Sequence, residues 1–246
     1  KQISATSKVK TIIVTMNLRT FDQAAIHADL ESALQKKAVM YAPRPPLLNR
    51  VLVSLNYYDD TPAAERDRSM WYQWTFDTLK SNQVEFPYPT IKSWCAVVKF
   101  PLPDGTEDMK KRELADHYIK AYAFQIDTLT NPRIKDFDAI MEVAKKKNLN
   151  VVFNLLAENT QYADSLVGNN LVWLMLQNRD LLVKRYTQKG AVMVDNLEAV
   201  PGWDYTDQHW TTEHYGQYGR QLVAKNVADS LKKWYQPQYG LWDIVK

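Results

Sequence analysis

An α/β fold built on a mostly parallel sheet is what this sequence predicts, and three observations carry the prediction. Short apolar, β-branched runs recur at Val9 to Met16, Val151 to Leu156 and Ala191 to Asp195. Between and after them lie stretches with apolar residues three and four apart, the periodicity of helices buried along one stripe. Strands that alternate with helices pair in parallel, because a helical crossover returns each strand to the same end of the sheet. With 246 residues the chain suffices for a single large domain, and 46% hydrophobic against 24% charged residues excludes a disordered or collagen-like chain.

In chain order, the first strand ends at Asn17-Leu18-Arg19-Thr20. A helix is expected next, with Ile26, Leu30 and Leu34 at spacing four and Thr20 or Asp22 as its cap. Pro43, Pro45 and Pro46 end it, and Leu47 to Tyr58 reads as helix with VLVSL as a strand-like stretch inside it. Thr61-Pro62 opens an aromatic helix reaching about Leu79. Its Trp71 and Trp74 read either as packing against the sheet or as sugar-stacking rings. Residues 82–105 carry Pro87, Pro89, Pro101 and Pro103 and are expected to be irregular, with one short strand around Cys95 to Phe100. Helices are expected at Thr106 to Leu129 and Pro132 to Lys147, the second opened by Asn131-Pro132 and closed by a solvated basic turn, Lys145 to Lys147. After the second strand comes a helix at Leu171 to Tyr186. The third strand follows, and a final helix spans Tyr215 to Trp234 with Leu222, Val223, Val227 and Leu231.

Composition limits function. A formal charge of +3 is too small to argue for nucleic acid or an anionic membrane, and only seven glycines leave little for a phosphate-cradling loop. The single Cys95 forms neither an internal disulfide nor a multi-thiolate metal site. No apolar stretch approaches the length of a membrane span, and Lys1 to Lys10 holds no signal-peptide core. Aromatic residues, at 12%, are the one compositional oddity.

Ligands of parallel α/β sheets sit at the carboxyl ends of the strands. That rule selects Asn17, Arg19 and Thr20 after the first strand, Glu158 and Asn159 after the second, and the loop before the last helix. This loop holds His209 and His214 beside Asp204, Asp207 and Glu213. A histidine oriented by a carboxylate is the base of triad chemistry. Asp207, seven residues before His214, is preferred over the adjacent Glu213, because neighbouring side chains diverge. His209 reads as a polar loop side chain or a second site residue, and a zinc site using both histidines and a carboxylate is a weaker alternative. Arg19 suits an anionic substrate group or a local ion pair. His27 reads as structural or exposed, and His117, within a polar stretch of helix, as a surface residue.

His214, Gly219 five residues on, and the apolar Leu222-Val223-Ala224 together form a pattern that resembles the last conserved block of the SGNH/GDSL hydrolase superfamily. The order Val152-Phe153-Asn154-Leu155, Ala157-Glu158-Asn159, Val194-Asp195-Asn196 resembles the later half of that fold, in particular extracytoplasmic members that handle acyl groups on cell-envelope polymers. The likeness covers about 100 C-terminal residues and departs from the family at Thr211, where an aspartate is usual.

The resemblance implies a three-layer α/β/α domain over residues 1–246, with a helical insertion at about 45–130. It further implies an ester hydrolase or acyltransferase acting on O-acyl groups of a carbohydrate or acylated polymer outside the cytoplasm. His214 would be the general base, Asp207 its orienting acid, and Asn17 an oxyanion donor, with Arg19, Thr20, Glu158, Asn159 and His209 around the substrate. No cofactor, metal or nucleic acid is implied.

The family's Gly-Asp-Ser block does not occur in the 246 residues. Either Asn17 is the asparagine of the third block and the serine block lies upstream, or the strand before Asn17 is the first strand. In the second case the protein uses Thr20, or is an inactive polysaccharide-binding protein. A glycosidase pairing Glu158 with Asp207 is a further alternative.

Overall fold

The computed structural model describes residues 8–22, 48, 51, 55, 68, 79, 81, 83–206, 214–232, 234 and 235. Three β-branched, apolar segments form one parallel sheet in the order β1 (Thr11–Met16), β2 (Asn150–Leu155), β3 (Val192–Asp195). Ile12 lies opposite Val151, and Val14 lies opposite Phe153, which in turn faces Met193. Residues paired in this way share a face, so Ile12, Val14, Met16, Val151, Phe153, Leu155 and Met193 all enter the main core. Ile13, Val152, Asn154 and Val194 point to the opposite face. The α/β class and the parallel sheet expected from the sequence are therefore present.

Six helices occur among the described residues: α1 (Ile91–Val97), α2 (Met109–Tyr122), α3 (Pro132–Lys146), α4 (Thr160–Val167), α5 (Asn169–Gln188) and α6 (Gln217–Leu231). Helix α3 starts as its sequence demands. Asn131 caps it by accepting the Arg133 N–H at 3.0 Å, Pro132 takes the first helical position, and Lys145 and Lys146 fill the last turn. Helices α4 and α5 meet at Gly168, whose φ of +100° is open to glycine almost alone. Helix α5 buries Leu171, Leu174, Met175, Asn178, Leu182 and Tyr186, a stripe at spacings of three and four.

The core is joined by aromatic contacts across layers. Phe153 of β2 meets Tyr186 of α5 at 4.8 Å and Phe137 of α3 at 5.5 Å, and Phe137 reaches Phe21 at 5.5 Å. On the opposite face, α6 packs near β3, with Val223 against Ala157, Val200 and Tyr205.

Three expectations need correction. The strand expected around Cys95 to Phe100 does not form: Cys95 to Val97 end helix α1, and residues 98–100 are neither helix nor strand. Thr90 and Ser93 form a reciprocal capping box, and Ile91, Trp94 and Cys95 bury one helical stripe, so capping and period three-to-four override the β-branched run. The helix expected to reach Leu129 stops at Tyr122. There the fully buried Asn178 accepts the Ile126 N–H at 2.9 Å and donates to the Phe124 carbonyl at 2.7 Å, fixing that stretch as non-helical. Helix α4 was not expected at all. The expected helices between Asp22 and Leu79, with His27, Trp71 and Trp74, lie almost wholly outside the described residues.

Candidate functional site

The chain leaves β1 through a 3-10 turn, Leu18–Phe21, capped by Asn17, whose Oδ1 accepts the Arg19 N–H at 2.8 Å. Using the carbonyl end locally orients the carboxamide. Thr20 closes the same turn by donating its N–H to the Asn17 carbonyl at 3.2 Å and is half-buried.

The exit of β2 is tied to both neighbours. Leu156 donates its N–H to the Met16 carbonyl at 2.9 Å, and Glu158 donates its own to Leu197 at 2.9 Å. The Glu158 side chain is buried at 1% exposure, and Tyr122 donates its hydroxyl to Oε2 at 2.5 Å. Tyr118 beside it has its phenol pushed well above the ordinary range, first by burial and then by the Glu158 charge, with Arg19 acting the other way. Arg19 and Glu158, selected separately in the sequence, thus both act electrostatically on Tyr118. At 1% exposure Glu158 is an internal carboxylate, one that organises the strand ends from beneath.

Asn159 is likewise buried and caps α4 by accepting the Tyr162 N–H at 3.0 Å. The next residue but one, Gln161, accepts the Gly202 N–H at 2.9 Å, joining α4 to a second 3-10 turn, Gly202–Asp204, that follows β3. Asp204 then grips the start of α6. Its carbonyl accepts the Gly216 N–H and its Oδ2 accepts the Gly219 N–H, both at 2.6 Å. A carboxylate at a helix N-terminus satisfies orphan donors and meets the positive end of the dipole. Asp204, one of three candidate partners for His214, is therefore engaged as a helix cap.

The loop between these elements has a hairpin-like base. Tyr205 and Tyr215 form an antiparallel bridge, and the His214 carbonyl accepts both the N–H and the hydroxyl of Thr206 at 2.8 Å. His214 is exposed at this base. Asp207 and His209 lie outside the described residues. Asn17 and His214 are held by separate elements, one after β1 and the other before α6.

Sequence reasoning missed a relay of carboxamides on the face beneath this loop. Asn226 of α6 donates to Asn196 Oδ1 at 2.7 Å, and the fully buried Asn196 donates to Asn154 Oδ1 at 2.8 Å. The available signal was Asn154 itself, a carboxamide inside an apolar strand, which must find buried partners. An open groove of about 440 Å³ is lined by Asn154 with Ile13 of β1, Tyr215, and Arg220, Val223 and Val227 of α6.

Two further titratable groups stand apart from the strand ends. Burial, aided by Asp116, pushes the Cys95 thiol up to about 12, which keeps it protonated and unreactive. His117 is half-buried in α2, and burial followed by the Lys120 charge lowers its proton affinity. Among the described residues no three His, Cys, Asp or Glu side chains cluster as a metal site, and no helix is long and apolar enough to cross a membrane.

No protein-family model matches this chain, and no curated protein or solved structure matches it either.

Proposed function

We propose that this chain is an SGNH-type O-acyl ester hydrolase or acyltransferase, with its residues arranged on a three-layer α/β/α fold. Its substrate is a carbohydrate or cell-envelope polymer outside the cytoplasm. The observation that supports the reading best is a packing one. The His214-to-Gly219 pattern that suggested it has a physical cause: Gly219 enters α6 where a Cβ would stand 2.8 Å from both Asp204 Oδ2 and Val200 Cγ1. The glycine lets α6 seat against the turn after β3, and His214, just before α6, belongs to the segment that follows the carboxyl end of β3, the end at which ligands of α/β sheets bind.

In this reading His214 removes the proton from a serine hydroxyl as the hydroxyl attacks the ester carbonyl. The imidazole later returns that proton to the departing alkoxide. Asp207 holds the imidazole tautomer, and the Asn17 carboxamide donates to the oxyanion of the tetrahedral intermediate. Water or an acceptor hydroxyl then takes the acyl group, giving hydrolysis or transfer. Arg19 and Glu158 shape the strand ends around Tyr118 and support the turn that presents Asn17. The attacking serine has no assigned position in these residues.

A second reading, a polysaccharide-binding protein on the same fold, is favoured by the absence of a Gly-Asp-Ser sequence anywhere in the chain. Treating the 246-residue chain with a fluorophosphonate and weighing it intact separates the two. A single adduct that is lost in His214→Ala supports the hydrolase, and its mapped position names the nucleophile. An unmodified mass overturns a self-sufficient hydrolase in these 246 residues; an adduct on a chain extended upstream would then restore the hydrolase, and none there would leave the binding protein.

A further inference from the structure

Two large aromatic rings stand in solvent close in sequence to the Tyr205–Tyr215 bridge, and packing among the described residues does not account for them. Trp203, in the turn after β3, is 71% exposed, and Tyr218, in the first turn of α6, is 50% exposed. Their ring centroids are 5.5 Å apart with planes inclined by 35°. A contact that leaves most of an indole in water removes little apolar surface, so it gives the fold little reason to keep a tryptophan there.

What holds the pair is the framework behind it. Trp203 lies between Gly202, bound to Gln161, and Asp204, whose carbonyl and carboxylate both bond the α6 backbone on either side of Tyr218. A Cβ on Gly202 would meet Gln161 Oε1 at 2.9 Å and Asn159 Oδ1 at 3.2 Å, so the turn is seated tightly on the start of α4. The two rings are thus presented by turns clamped to each other, which makes them a preorganised surface with little side-chain entropy left to lose on binding. Gln161 beside them is exposed. With its carbonyl end on Gly202, the donor end of its amide is what remains for a hydroxyl-bearing ligand.

We propose that Trp203 and Tyr218 form a stacking platform for the ring faces of a β-linked pyranose polymer. Such sugars carry their hydroxyls around the rim and C–H groups on their flat faces, so an aromatic face covers the apolar part while rim hydroxyls keep polar partners such as Gln161. The proposal rests on the reading above for the class of ligand and gives it a binding subsite that needs no nucleophile.

The test is affinity electrophoresis of the full chain in gels containing partly O-acetylated glucomannan, and in gels containing the same polymer after alkaline deacetylation. The expected result is retardation in both gels, because the platform contacts ring faces and not the acyl group. Trp203→Ala should weaken binding about tenfold or more and Tyr218→Ala several-fold, with unchanged thermal melts. Trp203→Phe should retain part of the binding. Trp173→Ala, which removes an exposed tryptophan on α5, should bind like the unaltered chain.

No retardation of the unaltered chain overturns the proposal. So does retardation that Trp203→Ala and Tyr218→Ala leave intact, or that disappears on deacetylation. Platform-dependent binding by a chain that forms no fluorophosphonate adduct would sink a self-sufficient hydrolase and keep the platform. An adduct without binding would do the reverse.

Discussion

At the scale of single residues, the fold depends on buried carboxamides and carboxylates that have partners. Asn178 shows the energetics best. It is fully buried in α5 and makes two backbone hydrogen bonds to a segment more than fifty residues earlier in the chain. Each neutral bond contributes about 1 kcal/mol net, but removing one side chain strands a buried N–H and a buried carbonyl at about 1–3 kcal/mol apiece. Asn178→Ala is therefore expected to lose about 2–6 kcal/mol in urea unfolding, more than truncation of an exposed residue on the same helix. A loss under about 0.5 kcal/mol would show that water replaces the side chain. None of this was legible beforehand, because a carboxamide within Leu-Gln-Asn-Arg looks like any polar helix residue until the segment it binds is known. Glu158 was legible as a strand-end residue, but its burial was not, since the Tyr122 hydroxyl that accompanies it comes from a helix 36 residues away in sequence.

Whole elements were easier to read, and the reason is their periodicity. The three strands, α3, α5 and α6 follow from apolar spacing and end signals that act within a few residues. Helix α1 was misread because its apolar run is short and β-branched, and there a capping box outweighs composition. The start of α6 carries the sharpest prediction at this scale. Gly219→Ala should help by about 1 kcal/mol on helix propensity alone. The new methyl would instead press on Asp204 Oδ2 and Val200 Cγ1 and also come within 3.0 Å of Tyr215 Cβ, and overpacking of this kind costs about 1–3 kcal/mol. The substitution is thus expected to lower stability overall, with a fall in thermal midpoint and loss of the Asp204 cap visible in the amide shift of residue 219. A rise in midpoint would mean that α6 is seated less tightly than described, and the packing argument for the His214-to-Gly219 pattern would fail with it.

At the scale of the whole molecule, the sheet is unevenly protected. Strand β2 has a partner on each side and is buried along most of its length, whereas β1 has one partner among the described residues and exposes Ile13 on the α6 face. The parallel ladder uses every second residue of a strand for one neighbour. The Lys10 and Met16 carbonyls bond β2, so the intervening Ile12 and Val14 face it as well, and the backbone groups of Thr11, Ile13 and Thr15 point to the far edge. Residue-resolved hydrogen exchange should consequently find β2 amides slowest and β1 split in two. Ile12, Val14 and Met16 should be protected, and Ile13 and Thr15 should exchange faster by orders of magnitude, as local opening is not needed to expose them. Uniformly slow exchange along β1 would overturn the open edge and require a further strand against Ile13, supplied by other residues of this chain or by a second copy. Fast exchange would leave an unpaired strand edge beside an apolar groove, the arrangement that natural sheets cover, charge or pair.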